Sequence, residues 1–162
     1  MKILVVSDTH KNYAVLETAV KKNPDADMLI HLGDGEHEFA DINHAFPQLP
    51  MVYVGGNCDF RTHKQTHVVH ACNGIKIFCC HGHTLGVRDG LGLLVNAAKQ
   101  NGCRIALYGH THLYRTEVVE GVFVMNPGSL DSPRGKNKPT FGIIELSEKG
   151  QIKMNILAME TK

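Results

Sequence analysis

Five short polar clusters punctuate the chain: Asp8-Thr9-His10, Gly33-Asp34, Gly56-Asn57-Cys58-Asp59, His81-Gly82-His83 and Gly109-His110-Thr111-His112. Each follows directly on an apolar run. Carboxylate, imidazole and carboxamide groups are ligands for divalent first-row metals such as Mn²⁺, Fe²⁺, Zn²⁺ and Ni²⁺. Asp8/His10 and His110/His112 are i, i+2 pairs. If the backbone is extended there, both members of a pair face the same space. Such a donor set suits a two-metal hydrolase, in which a bridging carboxylate and a shared hydroxide nucleophile lie between ions roughly 3.5–4 Å apart. Asp34 is the expected bridge. One ion would take Asp8, His10, Asp34 and His112, and the other Asp34, Asn57, His81 and His110. The glycines beside these positions permit tight turns and close backbone approach.

The elements that must place these groups are legible as hydrophobic runs. Residues 2–7, 28–32 and 51–54 read as strands, separated by a helix that Asn12 caps and a short helix over about 37–45. That alternation predicts an α/β fold with part of its sheet parallel. Asn73-Gly74 signals a hairpin between "THVVHA" and "IKIFCCH". "GLLVNAAKQN" reads as a helix stopped by Gly102, and "RIALY" as a strand. Two further hairpins turn at Glu120-Gly121 and at "SEKG". Strands therefore dominate the second half and are expected to pair antiparallel. The whole reads as one domain over 1–162, with the ligand-bearing strand ends converging in one sheet region. "SPRGKNKP" (132–139) reads as an exposed loop.

Bulk properties narrow the class. With 17 basic and 16 acidic side chains, the formal charge of +1 gives no overall case for a nucleic-acid or membrane partner. The only N-terminal apolar run, Ile3 to Val6, is too short for a signal peptide or a membrane span. The five cysteines include no C-x-x-C, and Cys79 and Cys80 should face opposite sides of a strand. Reduced thiols of this kind suit a cytoplasmic protein. Of the eleven histidines, His31, His44, His63, His67 and His70 are read as structural. "SDTHKN" after the first strand holds no glycine, which argues against a nucleotide-binding phosphate loop.

Taken together, "DTH", "GD", "GNCD", "HGH", "GHTH" and "NPGS" (126–129), in this order, resemble the calcineurin-like metallophosphoesterases, and within them the small bacterial and archaeal phosphodiesterases. The resemblance implies a four-layer αββα sandwich of two mixed β-sheets flanked by helices. It also implies a phosphodiester hydrolase with two divalent ions, manganese first among them, followed by iron, zinc or nickel. The ligand positions it implies are Asp8, His10, Asp34, Asn57, His81, His110 and His112. None is missing, unlike in the degenerate site of the non-catalytic retromer subunit of the same fold. Larger relatives carry a histidine acid where this chain has Cys58. Cys58 is read as filling space beside Asn57, Asp59 as orienting its loop, and His83 as a candidate proton donor. Asp8, Asp34, Asn57, Asp59 and His83 are thus the expected catalytic set. With a weak acid, diesters with acidic, aryl-like leaving groups are favoured. A monoesterase would draw on Arg61, Arg88 and Arg134; an interaction module would keep its metals without turnover. The substrate is a phosphoester, and self-association through Tyr13, Phe39, Phe46 or Tyr114 is a further expectation.

Overall fold

A computed structural model describes residues 1–59 and 65–160; Arg61 and His63 lie outside the described residues. The first run forms β1 (Lys2–Val6), and Asn12 caps α1 (Tyr13–Lys22) by accepting the N–H of Val15 at 3.3 Å. Then come β2 (Met28–His31), α2 (Glu36–Ala45) and β3 (Met51–Tyr53). The Asn73-Gly74 hairpin joins β4 (His67–Cys72) to β5 (Ile75–Cys80), followed by α3 (Gly92–Gln100) and β6 (Ile105–Leu107). The chain closes with the hairpins β7 (Arg115–Val119)–β8 (Val122–Asn126) and β9 (Thr140–Leu146)–β10 (Ile152–Ala158).

The strands make two mixed five-stranded sheets, ordered β10-β9-β1-β2-β3 and β4-β5-β6-β8-β7. Period-two alternation divides the side chains between layers. In β1, Ile3 and Val5 pack with Ile77, Cys79, Ile105 and Leu107 of the other sheet. Leu4 and Val6 pack instead on Leu16, Ala19 and Val20 of α1 and Ile42 of α2. In the second sheet Phe78, Cys80 and Ala106 turn to Leu94, Val95 and Ala98 of α3. The order is therefore helices, sheet, sheet, helix. Both faces of each central strand are covered, which is why the sequence shows continuous apolar runs. Cys79 and Cys80 do lie in different layers, and all five cysteines are free. No helix among the described residues is long and apolar enough to cross a membrane.

Two expectations need correction. The second-half strands do not all pair antiparallel, because β6 runs parallel to both β5 and β8. The α3 crossover returns the chain in the same direction, and β7 takes the outer edge of its hairpin. The polar clusters also do not belong to one sheet. β1, β2 and β3 of the first sheet and β5 and β6 of the second are parallel within their sheets, and their C-terminal ends meet across the sandwich. Of the proposed contact aromatics, Tyr13 and Phe46 pack on the helical layer, and Phe39 stacks 4.6 Å from Tyr53; Tyr114 remains exposed.

Candidate metal centre

The backbone around the site is strained where the ligands were expected. Asp8 (φ 56°), His10 (43°), Asp34 (56°), His110 (65°) and His112 (59°) all adopt the left-handed conformation. For residues other than glycine this costs about 1–3 kcal/mol each and persists only where surrounding structure enforces it. The i, i+2 pairs are therefore not extended. They sit on tight left-handed turns just past the strand ends. The turn at Asp8–His10 still brings both residues to one space, but the turn at His110–His112 splits its pair. His112 joins Asp8 and His10, with ligand atoms within 4.8 Å of one another. The His110 ring stands edge-on to His81 at 5.2 Å.

A second group joins Asp8, Asp34 and His81 within the same 4.8 Å limit, and a third joins His10, Asp34 and Cys58. Asp8, His10 and Asp34 each belong to two of the three groups. Asn57 Oδ1 adds a neutral oxygen 3.2 Å from His81 Nε2.

The donor atoms are set for a cation. His81 Nδ1 lies 2.7 Å from the Leu32 carbonyl and donates to it, which turns Nε2 inward. That nitrogen faces Asp34 Oδ2 at 3.4 Å and Asp8 Oδ1 at 3.9 Å. His112 repeats the device: Nδ1 is held 2.5 Å from the Ser132 carbonyl, and Nε2 points at Asp8 Oδ1 at 3.2 Å and His10 Nε2 at 3.2 Å. Asp8 Oδ1 itself is buried and makes no hydrogen bond, whereas Oδ2 accepts from Ser7 Oγ and the His110 N–H. Ring nitrogens and carboxylate oxygens converging on one buried space, with Asp8 Oδ1 left without a hydrogen bond, fit metal ligation.

The charge states agree. Burial disfavours both carboxylates as anions, yet His112 and His81 hold Asp8, and His81 with the Cys58 N–H holds Asp34, below the usual carboxylate range. Burial likewise opposes charge on His81, but Asp34 and Asp8 outweigh it and raise its pKa; a cation in the site would answer the same pull. His110, desolvated and close to His81 and Arg88, falls to about 4 and is neutral at pH 7.

Supporting residues hold this arrangement. Asp59 accepts from the backbone N–H groups of Asp34, Gly35, Glu36 and Gly56 and from the Tyr53 hydroxyl, so it ties the β2 and β3 loops together. With both oxygens engaged in this way, it is a positioning residue and not a reacting one. Burial would raise its pKa, but Tyr53 and these N–H groups lower it. Gly56 is required because a Cβ there would come 2.0 Å from Asp34 Oδ1. The 126–129 loop also stitches strand ends: Asn126 Nδ2 donates to the Gly109 carbonyl and Ser129 Oγ to the Asp8 carbonyl. His83 Nδ1 is buried without a partner, its ring 5.4 Å from His81, and burial lowers its pKa. The Cys58 thiol, partly desolvated and beside Asp34, is pushed up to about 11. It is a neutral thiol at pH 7, and its Sγ accepts from Asn57 Nδ2 at 3.2 Å.

Some supports escaped the sequence reading. His31 Nδ1 accepts the Gly33 N–H, so its Nε2–H reaches Thr9 Oγ1, which donates to Glu38 Oε1. Glu38 also accepts the Lys11 N–H and is buried. Nothing in the residue pattern distinguishes this glutamate from a solvated helix side chain.

A family model described as the calcineurin-like phosphoesterase superfamily domain matches residues 1–149. The Bacillus subtilis (strain 168) protein named "Probable metallophosphoesterase YsnB" is 32% identical over 148 residues, 90% of this chain and 85% of its own. A solved archaeal phosphodiesterase is 27% identical, with a TM-score of 0.75 over 97% of this chain and 100% of that one. Zn²⁺-complexed Vps29 from Entamoeba histolytica, at 23% identity and TM-score 0.73 over 97% of this chain and 98% of that one, shares the fold.

Proposed function

The chain belongs to the calcineurin-like phosphoesterase superfamily, and from that premise we propose that it hydrolyses phosphodiesters at a centre for two divalent ions. The observation that carries this reading is the inward-facing cluster of ring nitrogens and carboxylate oxygens around Asp8 Oδ1, which makes no hydrogen bond. Asp8, His10 and His112 would hold one ion and Asp34, His81, Asn57 and His110 the other, with Asp34 or Asp8 able to serve both. When bound, the ions supply Lewis acidity at the phosphoryl group and lower the pKa of water enough for hydroxide to attack. Manganese is our first choice, ahead of iron, zinc and nickel. The free thiols suit the reducing cytoplasm, which we propose as its compartment.

The chain's own residues supply orientation more than acid catalysis. Asn57 sits at the mouth, where a neutral oxygen can ligate without adding negative charge against an anionic substrate. Neither neighbour of the reacting space is a strong acid. Cys58 is a neutral thiol, and His83, its pKa lowered by burial, is largely uncharged at pH 7. Departing groups that need little protonation are therefore favoured, which supports aryl-like diesters. The archaeal phosphodiesterase among the relatives supports diesters as the class.

The test is turnover of a bis-aryl phosphodiester, with an alkyl diester and an aryl monoester beside it, across Mn²⁺, Fe²⁺, Zn²⁺ and Ni²⁺. Activity should need added metal and be abolished by chelator. Asn57→Ala should lower it by more than the roughly 10–100-fold typical of an outer-sphere metal partner. Activity surviving both chelator and Asn57→Ala would refute the two-metal reading, and faster monoester turnover would refute the diester preference.

A further inference from the structure

The bulk charge of the chain conceals a local one. Beside the metal centre opens a cleft of about 560 Å³, bordered by Arg88, Arg134, Arg115, Tyr108, Tyr114 and Thr111. Thr111 stands between His110 and His112, so the cleft begins at the centre itself. A second cleft of about 370 Å³ continues from it; Tyr114 and Asn137 line both, and Lys136 and Lys138 line the second. Among the described residues no carboxylate lines either cleft. Arg115 is paired with Glu117, but Arg88, Arg134, Lys136 and Lys138 have no ion-pair partner among the described residues. Three of these four come from the single loop 132–139. The backbone N–H of Arg134 donates to the His112 carbonyl at 3.3 Å, which anchors that loop to the site. Tyr114 is 49% exposed, with Leu113 beside it 47% exposed. The result is a row of unpaired cations with a solvent-facing aromatic ring between them, running away from the site.

From this geometry we propose that the groove is the track for a short single-stranded oligonucleotide, with the phosphate backbone on Arg88, Arg134, Lys136 and Lys138 and a base on Tyr114. A scissile phosphodiester at the metals has further phosphates on either side when the substrate is a polymer. Several cations without an ion-pair partner among the described residues suit such a run of phosphates. A positively charged groove with an interleaved aromatic is the general means of holding single strands without reading their sequence.

The proposal rests on the diesterase reading, and the experiment keeps the two apart. Binding of a fluorescein-labelled six-nucleotide single strand is followed by anisotropy over a salt series in chelator, where no turnover occurs. Turnover of the bis-aryl diester with metal reports separately on the diesterase reading. Arg134→Ala/Lys136→Ala/Lys138→Ala is expected to weaken oligonucleotide binding at least tenfold. It should also flatten the log–log salt slope by about 2, since each neutralised phosphate on a single strand contributes roughly 0.7. Tyr114→Ala should weaken binding about tenfold through lost base stacking. With metal, the triple variant should lower the ratio of oligonucleotide to aryl-diester turnover at least tenfold. A Lys21→Ala/Lys22→Ala variant on α1 should bind as the unaltered protein does. An unchanged salt slope in the triple variant would overturn the groove. So would a dinucleoside polyphosphate binding as tightly as the six-mer, which would assign the cations to a small polyphosphate instead.

Discussion

At the scale of single residues, the site is defined by which atom of each side chain is left free. His81 and His112 each commit Nδ1 to a backbone carbonyl, and that choice turns Nε2 inward. Cys58 shows the opposite situation, a side chain whose interest is what it cannot do. Its thiol is a weak donor and stays protonated near neutrality. Cys58→His is expected to raise turnover of alkyl diesters by up to about 10²-fold while changing aryl diesters little, since a general acid typically contributes 10²–10⁴-fold. Steady-state rates on the paired substrates check this, and equal gains on both would contradict the weak-acid account. Asp59 carries the largest structural load of any single side chain near the site. Asp59→Asn removes the charge from five hydrogen bonds while keeping the shape. It is expected to cost about 2–3 kcal/mol in denaturant melts and to weaken metal binding, because the Asp34 loop loses its tether. The need for such a group was readable in "GNCD"; its partners, mostly backbone N–H groups, carry no residue-type signal.

At the scale of elements, strands deliver the ligands but turns aim them. β1, β2 and β6 end two or three residues before Asp8, Asp34 and His110, which take the left-handed conformation, so these candidate ligands project from turns. The close packing of strand ends leaves no room at particular glycines. A Cβ on Gly109 would lie 2.0 Å from Ser7 Oγ and 2.9 Å from Asp8 Oδ2. Gly109→Ala is therefore expected to displace Asp8 and lower metal affinity at least tenfold, read by calorimetric titration, with a smaller effect on helix content. Ser129 holds the β1 end from another direction: its hydroxyl donates to the Asp8 carbonyl and accepts the N–H groups of Asp131 and Ser132. Ser129→Ala leaves these buried groups short of a partner and is expected to cost about 1–3 kcal/mol. Element identities were legible in the sequence because the apolar runs are bounded by turn residues and Asn12 marks the start of α1. The parallel pairing of β6 was not, since a hairpin-rich stretch gives no local sign of where its first strand docks.

At the scale of the whole molecule, buried titratable groups link stability to pH and to metal. His31 is fully buried, and desolvation lowers its pKa to about 4 from the ordinary 6.5. As pH falls below 6.5 the unfolded chain takes up a proton at this position while the folded chain does not until about pH 4. The stability associated with the neutral ring is thus complete above pH 6.5 and is lost between 6.5 and 4, by as much as about 3 kcal/mol. Denaturant melts across that window should show the loss, and His31→Gln should flatten its slope while lowering stability at pH 7. Metal acts in the same direction as neutral pH. Two carboxylates kept ionised in a buried cluster repel each other until a cation joins them. Ion at about 100 times its Kd should add about 2.7 kcal/mol per site, raising Tm by about 5–10 °C for a chain of this length. Chelator should reverse the rise, and a Tm indifferent to both would contradict the centre.

Residue types and their order were enough to indicate an α/β sandwich and to nominate Asp8, His10, Asp34, Asn57, His81, His110 and His112, because metal-binding chemistry tolerates few side chains and strand ends are marked by local polarity. Packing decided what local pattern cannot carry. It set the two sheets against each other so that candidate ligands from both converge, put Asp8 beside Asp34 and His81, and turned His110 and His112 apart. It also gathered Arg88 with Arg134, Lys136 and Lys138 beside Tyr114. Residues distant in the chain meet there only because β6 docks parallel and the 132–139 loop folds back over its end. A net charge of +1 is a sum over the chain and contains no information about where its terms lie.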